Sequence, residues 1–328
     1  SELRKHLEEQ MTRSTPYSLA DWGTILRALQ LVDTPSGEIL PKLFALYESQ
    51  VLAFYDPHSH TYYSIRQLPE LPPDAAKLVD PKTLEETVMV HELTHALQDQ
   101  LFSLAKREKS LMRDTDANMA YHAVLEGEAV LVMVAHMLQK SGIDLAEVVK
   151  DDAMLETISS AAMSEQMIDP STPRYFGEML KFPYLEGLKL VIAAYRRGGW
   201  KAVDGLHTHP PRSTREVLHP DEYFARVASG KNAMPAFDAS KPADALAAEH
   251  LGEFHWRFLV GEENARGLVS DRAIIWKDGR VAIETTWDDA KRAESFAAAY
   301  AKFLESRGLG SATLTRDGAT VKATYKAP

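Results

Sequence analysis

The chain has no cysteine. That excludes disulfide frameworks, thiolate-held zinc, thiol nucleophiles, CxxC redox centres and cysteine-ligated iron–sulfur clusters. Any metal must sit on imidazole and carboxylate. Long hydrophobic runs are missing as well: the best, residues 129–138, is interrupted by His136 and is shorter than the roughly 18 apolar residues needed to span a bilayer. No membrane span is expected. Positive charge is the scarcer sign, with 37 Lys+Arg against 47 Asp+Glu and a net charge of −10. No basic tract is long enough to follow a phosphate backbone, which argues against a nucleic-acid partner. The 45% hydrophobic share over 328 residues suits a globular chain of one large domain and a smaller one. The sequence starts at Ser1 rather than Met, as it would after removal of an upstream segment such as a secretory signal.

Local patterns give a mixed α+β reading. Ser18 and Asp21 stand as N-cap and N3 of an early helix carrying Leu19, Trp22, Ile25, Leu26 and Leu29. After the break at residues 33–37, a helix over about 41–49 leads into two β-prone runs, 51–55 and 61–65. The turn Asp56-Pro-His-Ser-His60 joins them as a hairpin. Residues 68–73 read as a loop, and Asp80-Pro81 as the cap and first residue of a helix running to about 106. Further helices are expected over 114–138, over 144–163, and after Phe182-Pro-Tyr184 up to Gly198-Gly199. Residues 208–223 read as a Pro- and His-rich loop. The expected domains are 1–230, mostly helical with a small antiparallel hairpin over the helix at 81–106; a loose connector at 231–250; and a small α+β unit at 251–328. Within that last unit, strands at 272–276 and 281–287, a helix presenting Ala293, Phe296, Tyr300 and Phe303, and a hairpin around Asp317-Gly318 are expected.

The most informative stretch is His91-Glu92-Leu93-Thr94-His95. Positions four apart share one face of a helix, so both imidazoles can reach a single Zn²⁺ while Glu92 stands beside the metal's water. Val90, Leu93, Leu97, Leu101 and Leu104 recur at spacings of three and four, which predicts a buried helix. A catalytic zinc needs a third protein ligand and one open position. Gln98 and Leu101 stand where HExxHxxGxxH would place its Gly and third His, so the ligand must come from elsewhere. Glu126-Gly127-Glu128-Ala129 offers two carboxylates among small residues, on a helix that could approach the first closely. His122, one turn earlier, reads as a helix-surface residue, and His58 and His60 as exposed turn residues.

His91-Glu-Leu-Thr-His-Ala-Leu-Gln-Asp-Gln100 followed by Glu126-Gly-Glu-Ala129 resembles a gluzincin, a zinc metallopeptidase whose third ligand is a Glu on a later helix. The resemblance implies His91, His95 and Glu126, rather than Glu128, as metal ligands. Phe54-Tyr-Asp-Pro57, Phe182-Pro-Tyr-Leu-Glu-Gly187, Gly198-Gly-Trp200, Pro210-Pro-Arg-Ser-Thr214 and His219-Pro220 are similar to blocks in a group of bacterial HExxH proteins. Together they span about residues 50–220. One departure stands out: thermolysin-like enzymes carry an Asp four residues after the ligand Glu to orient the first zinc His, and here that position is Val130. Asp99, Asp114 and Asp116 are the candidates to replace it.

The resulting expectation is a zinc-dependent peptidase acting on peptide or protein substrates, with Glu92 as general base for a metal-activated water. Tyr184 and His219 are the preferred oxyanion donors among Tyr184, His207, His209 and His219. Strand 51–55 or 61–65 is a candidate edge for an extended peptide. A chain without thiols suits an extracytoplasmic setting, secreted or periplasmic. The alternative is a zinc-bearing but inactive binding or regulatory protein, which zinc uptake without cleavage would favour.

Overall fold

The structure, a computed structural model, describes residues 2–64, 81–151, 169–234 and 236–327. The expected loop at 68–73, the cap at Asp80 and most of the helix expected at 144–163 lie outside them. The fold is mixed α+β and mostly helical, with two small antiparallel sheets.

Helices α1 (Glu2–Ser14), α2 (Leu19–Ala28) and α3 (Ser36–Gln50) precede the hairpin of β1 (Ala53–Asp56) and β2 (Thr61–Ser64). Ser18 caps α2 as its sequence predicts, its hydroxyl accepting from Asp21 N. Helix α3 begins five residues before the expected start and carries Pro41 inside it. The hairpin pairs Phe54 with Tyr63 and Tyr55 with Tyr62.

Helix α4 (Pro81–Phe102) bears the HExxH sequence. It stops short of 106 because Ser103 turns into the left-handed region (φ 56°) and starts α5 (Leu104–Leu111). Asp99 serves that break, its carboxylate accepting from Leu104 N at 2.9 Å. The burial of α4 is the reverse of the expected one. Leu93, Leu97 and Leu101 are each more than half exposed, whereas His91, Glu92, Gln98 and Asp99 are buried. The polar face points inward because α6 (Thr115–Lys140) lies against it and supplies partners for it.

Asp114 caps α6, accepting from Ala117 N. By length and apolar character this helix could reach across a membrane, yet over half of its apolar stretch is buried within the fold, as a core helix also is. After α7 (Leu145–Val148) comes α8 (Arg174–Thr208), which starts nine residues before Pro183 and continues beyond the glycine pair. Gly198 and Gly199 break it, with Gly199 at φ 62°, so the expected end is a kink between two helical halves.

The stretch expected as a loop at 208–223 instead holds α9 (Thr214–Leu218) and the start of α10 (Pro220–Ala228). The loose connector is also shorter than expected, since β3 (Ala245–Glu249) is buried at every position. It pairs with β4 (Leu268–Trp276), and β5 (Arg280–Trp287), β6 (Thr313–Asp317) and β7 (Thr320–Lys326) complete a sheet ordered β3-β4-β5-β7-β6. Helix α11 (Gly252–Val260), the short α12 (Glu262–Ala265) and α13 (Ala290–Ser306) accompany this sheet. Trp256 meets Phe296 and Tyr300 edge-on, and Trp287 lies 4.5 Å from Phe296. Tyr325 donates its hydroxyl to Ala28 O at 3.0 Å, which ties the sheet to α2.

A buried polar junction holds the start of α6 to the C-terminal unit. Asp116 accepts from Thr214 N at 2.9 Å and from its hydroxyl at 2.5 Å. Asp271 accepts from Leu251 N, Gly252 N and Trp256 Nε1. His250 lies between these carboxylates, 2.8 Å from Asp114 and 3.8 Å from Asp116. Burial pushes its imidazole down, but the hydrogen bond to Asp114 and the charges of Asp271, Asp116 and Asp114 outweigh burial and raise it to about 10. The folded protein therefore keeps a proton that the unfolded chain, at about 6.5, gives up first. Stability present below pH ~6.5 is lost as pH rises toward 10. Thermal unfolding between pH 7 and 10 should fall by several degrees in the parent and visibly less in His250→Gln. Equal slopes would remove His250 from that account.

Candidate metal centre

His91 and His95 lie one turn apart on α4, and Glu126 reaches them from the middle of α6. His91 Nε2 is 3.1 Å from Glu126 Oε2, His95 Nε2 is 3.6 Å from the same oxygen, and the two Nε2 atoms are 3.2 Å apart. Among the described residues this is the one group of three side chains that could hold a metal ion. The donor set and its spacing both fit zinc. Four ligands about 2.0–2.1 Å from a tetrahedral zinc stand about 3.3 Å from each other, and the three measured edges bracket that value. His122 Nε2, half-exposed, is 3.5 Å from the other oxygen of Glu126 and is not a member of the trio. Three such donors would leave one position of a tetrahedral ion open.

Electrostatics favour a cation at this point. Burial pushes the Glu126 carboxyl up, but the charge of His95 and hydrogen bonds from both imidazoles hold it well below the usual carboxylate range. Burial likewise pushes His95 down, while the charge and hydrogen bond of Glu126, aided by Glu92 and Gln98, raise it to about 9. Groups that compete for a proton this strongly also suit a divalent ion, which takes the proton's place.

Glu92 is next to the trio without belonging to it. The Tyr55 N–H of β1 donates to its Oε2 at 2.8 Å, so the hairpin backbone fixes this carboxylate. Burial raises its proton affinity, as does the charge of Glu126, against the opposing pull of His95 and His91. The edge of β1 thus faces the site, and an extended peptide along it would pass beside Glu92.

Of the expected oxyanion donors, the structure brings one to the cluster. Tyr184, on α8, stacks on His91 with centroids 6.0 Å apart, and its hydroxyl interacts with Glu126. His219 is not among the trio: it stands at the N-cap position of α10 and its Nε2 lies 2.8 Å from the buried carboxylate of Glu253 on α11. His209 lies against the Thr208 hydroxyl. His207 is fully buried and bonds Glu128 rather than the trio.

The aspartates expected to orient a zinc ligand have other partners. Asp99 accepts from the Tyr55 hydroxyl and Leu104 N and lies 2.9 Å from His60, which, like His58, is exposed in the turn as expected. Asp114 caps α6, and Asp116 holds Thr214. The partner of the His95 Nδ1 atom is Gln98, with Oε1 at 2.8 Å. Its signal was available in the sequence: it stands three residues after His95, on the same helix face.

Compared with family profiles, with curated proteins and with solved structures, the chain matches none.

Proposed function

We propose that this chain is a zinc-dependent peptidase of the gluzincin type. The carrying observation is the convergence of His91, His95 and Glu126 at zinc-sized separations beside a carboxylate that is no ligand. Zinc held by these three residues would polarise the scissile carbonyl and acidify the attacking water. Glu92, with Oε2 fixed by Tyr55 N–H, would accept the water's proton and return it to the leaving amine. Tyr184, which stacks on His91 and interacts with Glu126, would donate to the developing oxyanion. The β1 edge is the surface on which an extended substrate would be positioned.

The test pairs metal analysis with a diverse peptide library. One zinc per chain and cleavage that a chelator abolishes are expected. Zinc uptake without cleavage of any member would instead support a binding or regulatory protein. His95→Ala removes one of the three donors and should weaken zinc binding beyond the roughly 10–100-fold that loss of a supporting hydrogen bond costs. Retention of stoichiometric zinc through chelator dialysis in that variant would refute the ligand set.

A further inference from the structure

We propose that Gln98 and Glu128 form an amide–carboxylate relay that orients the metal ligand His95. The inference rests on the metal-site reading above. Its basis is the orientation of one buried amide. Gln98 Nε2 donates to two groups that can only accept, Leu125 O at 3.1 Å and Glu128 Oε2 at 2.7 Å. Its Oε1 is therefore the atom turned to His95 Nδ1, at 2.8 Å. An amide oxygen can only accept, so Nδ1 carries the proton. Nε2, the atom that points at His91 and Glu126, then has its lone pair available for the metal.

The relay is anchored from behind. Glu128 Oε2 also lies 2.7 Å from His207 Nε2, and His207 Nδ1 lies 3.1 Å from the Tyr121 hydroxyl. Phe102 stacks on His207 with centroids 4.1 Å apart, and Arg107 holds the His207 carbonyl at 3.1 Å. Gln98 is 2% exposed and His207 wholly buried, so neither amide nor ring can turn without leaving buried polar atoms unpaired. The elements joined are α4, α6 and α8, the same three that carry the ligands and Tyr184. Glu126 and Glu128 are thus given different work: the first faces the metal position and the second stands behind His95. Gln98 and Glu128 are positioning residues, acting through His95.

Zinc affinity measured by chelator competition tests this on the full chain. Gln98→Ala should bind zinc about 10–100-fold more weakly than the parent. In cobalt-loaded protein, the shifted exchangeable resonance of the His95 Nδ1 proton should be slow to exchange in the parent and lost or broadened in this variant. Because truncating a buried amide also lowers stability, a swapped pair supplies a second arm. Gln98→Glu alone sets two carboxylates face to face and should weaken zinc binding. Adding Glu128→Gln restores a donor opposite an acceptor and should recover affinity to within a few-fold of the parent. Gln98→Ala with parental zinc affinity and a lowered unfolding midpoint would make Gln98 merely structural and overturn the relay. Failure of the swap to recover affinity would overturn it as well. A parent that takes up neither zinc nor cobalt overturns the metal site itself, and the relay with it.

Discussion

Glu92→Gln is expected to leave the fold and the bound zinc intact while reducing peptide hydrolysis by about 10²–10⁴-fold, the range that a positioned general base contributes. The substitution is close to isosteric. A glutamine oxygen can still accept from Tyr55 N–H, the bond that places the parent carboxylate at 2.8 Å, but the amide cannot take a proton from water. Glu92 is not in the ligand trio, so the donors for the metal are untouched. The loss should appear in kcat with KM little changed, because the interaction matters while the proton moves and not while substrate binds. Zinc content and unfolding midpoint are measured on the same preparations. Cleavage at the parental rate would rule out Glu92 as the base and with it the proposed mechanism.

The legible parts of this protein are those set by local chemistry. HExxH fixes the relation of His91 to His95 through helical geometry alone. Ser18, Asp114 and Asp144 each cap a helix because a short polar side chain satisfies the first free N–H groups wherever the chain turns in. The hairpin follows from two β-prone runs and the turn between them. What escaped the sequence depends on distant partners. The leucine periodicity of α4 correctly marks one face, but which face goes inward is decided by Glu126, Glu128 and His207, which pair with the polar side. An alanine-rich β3 has little strand preference of its own and exists because β4 pairs with it. Pro183 reads as a break, yet packing of α8 against α6 carries the helix through it. His219 was favoured by its neighbourhood in sequence, and its buried partner Glu253 could be identified only once the chain was folded.

Gly127→Ala should lower the unfolding midpoint by several degrees and weaken zinc binding together, although Gly127 touches no metal ligand through a side chain. The small residues beside Glu126 were expected to admit α4; they admit α8 instead. A Cβ on Gly127 would lie 2.3 Å from Gly187 C and 2.4 Å from Gly187 O, and a Cβ on Gly187 would lie 2.0 Å from Ala123 O. These are backbone atoms, so no rotamer change relieves the overlap. Ordinary contact begins near 3.4 Å, and α6 and α8 would have to separate by roughly an ångström, an overpacking cost of about 1–3 kcal/mol or more. Helix propensity works in the opposite direction, favouring Ala over Gly by about 1 kcal/mol, and it is outweighed at a crossing this tight. The neighbouring positions make the effect functional: Glu126 immediately precedes Gly127, and Tyr184 lies one turn before Gly187. Prying the helices apart therefore shifts Glu126, the proposed third ligand, and the residue stacked on His91 at once. Gly205→Ala, in the same α8 but with nothing within 4 Å of the new methyl, isolates the propensity term and should be neutral or stabilising by up to about 1 kcal/mol. If both alanine variants gain stability and keep parental zinc affinity, close approach of α6 and α8 is not what sets the position of Glu126.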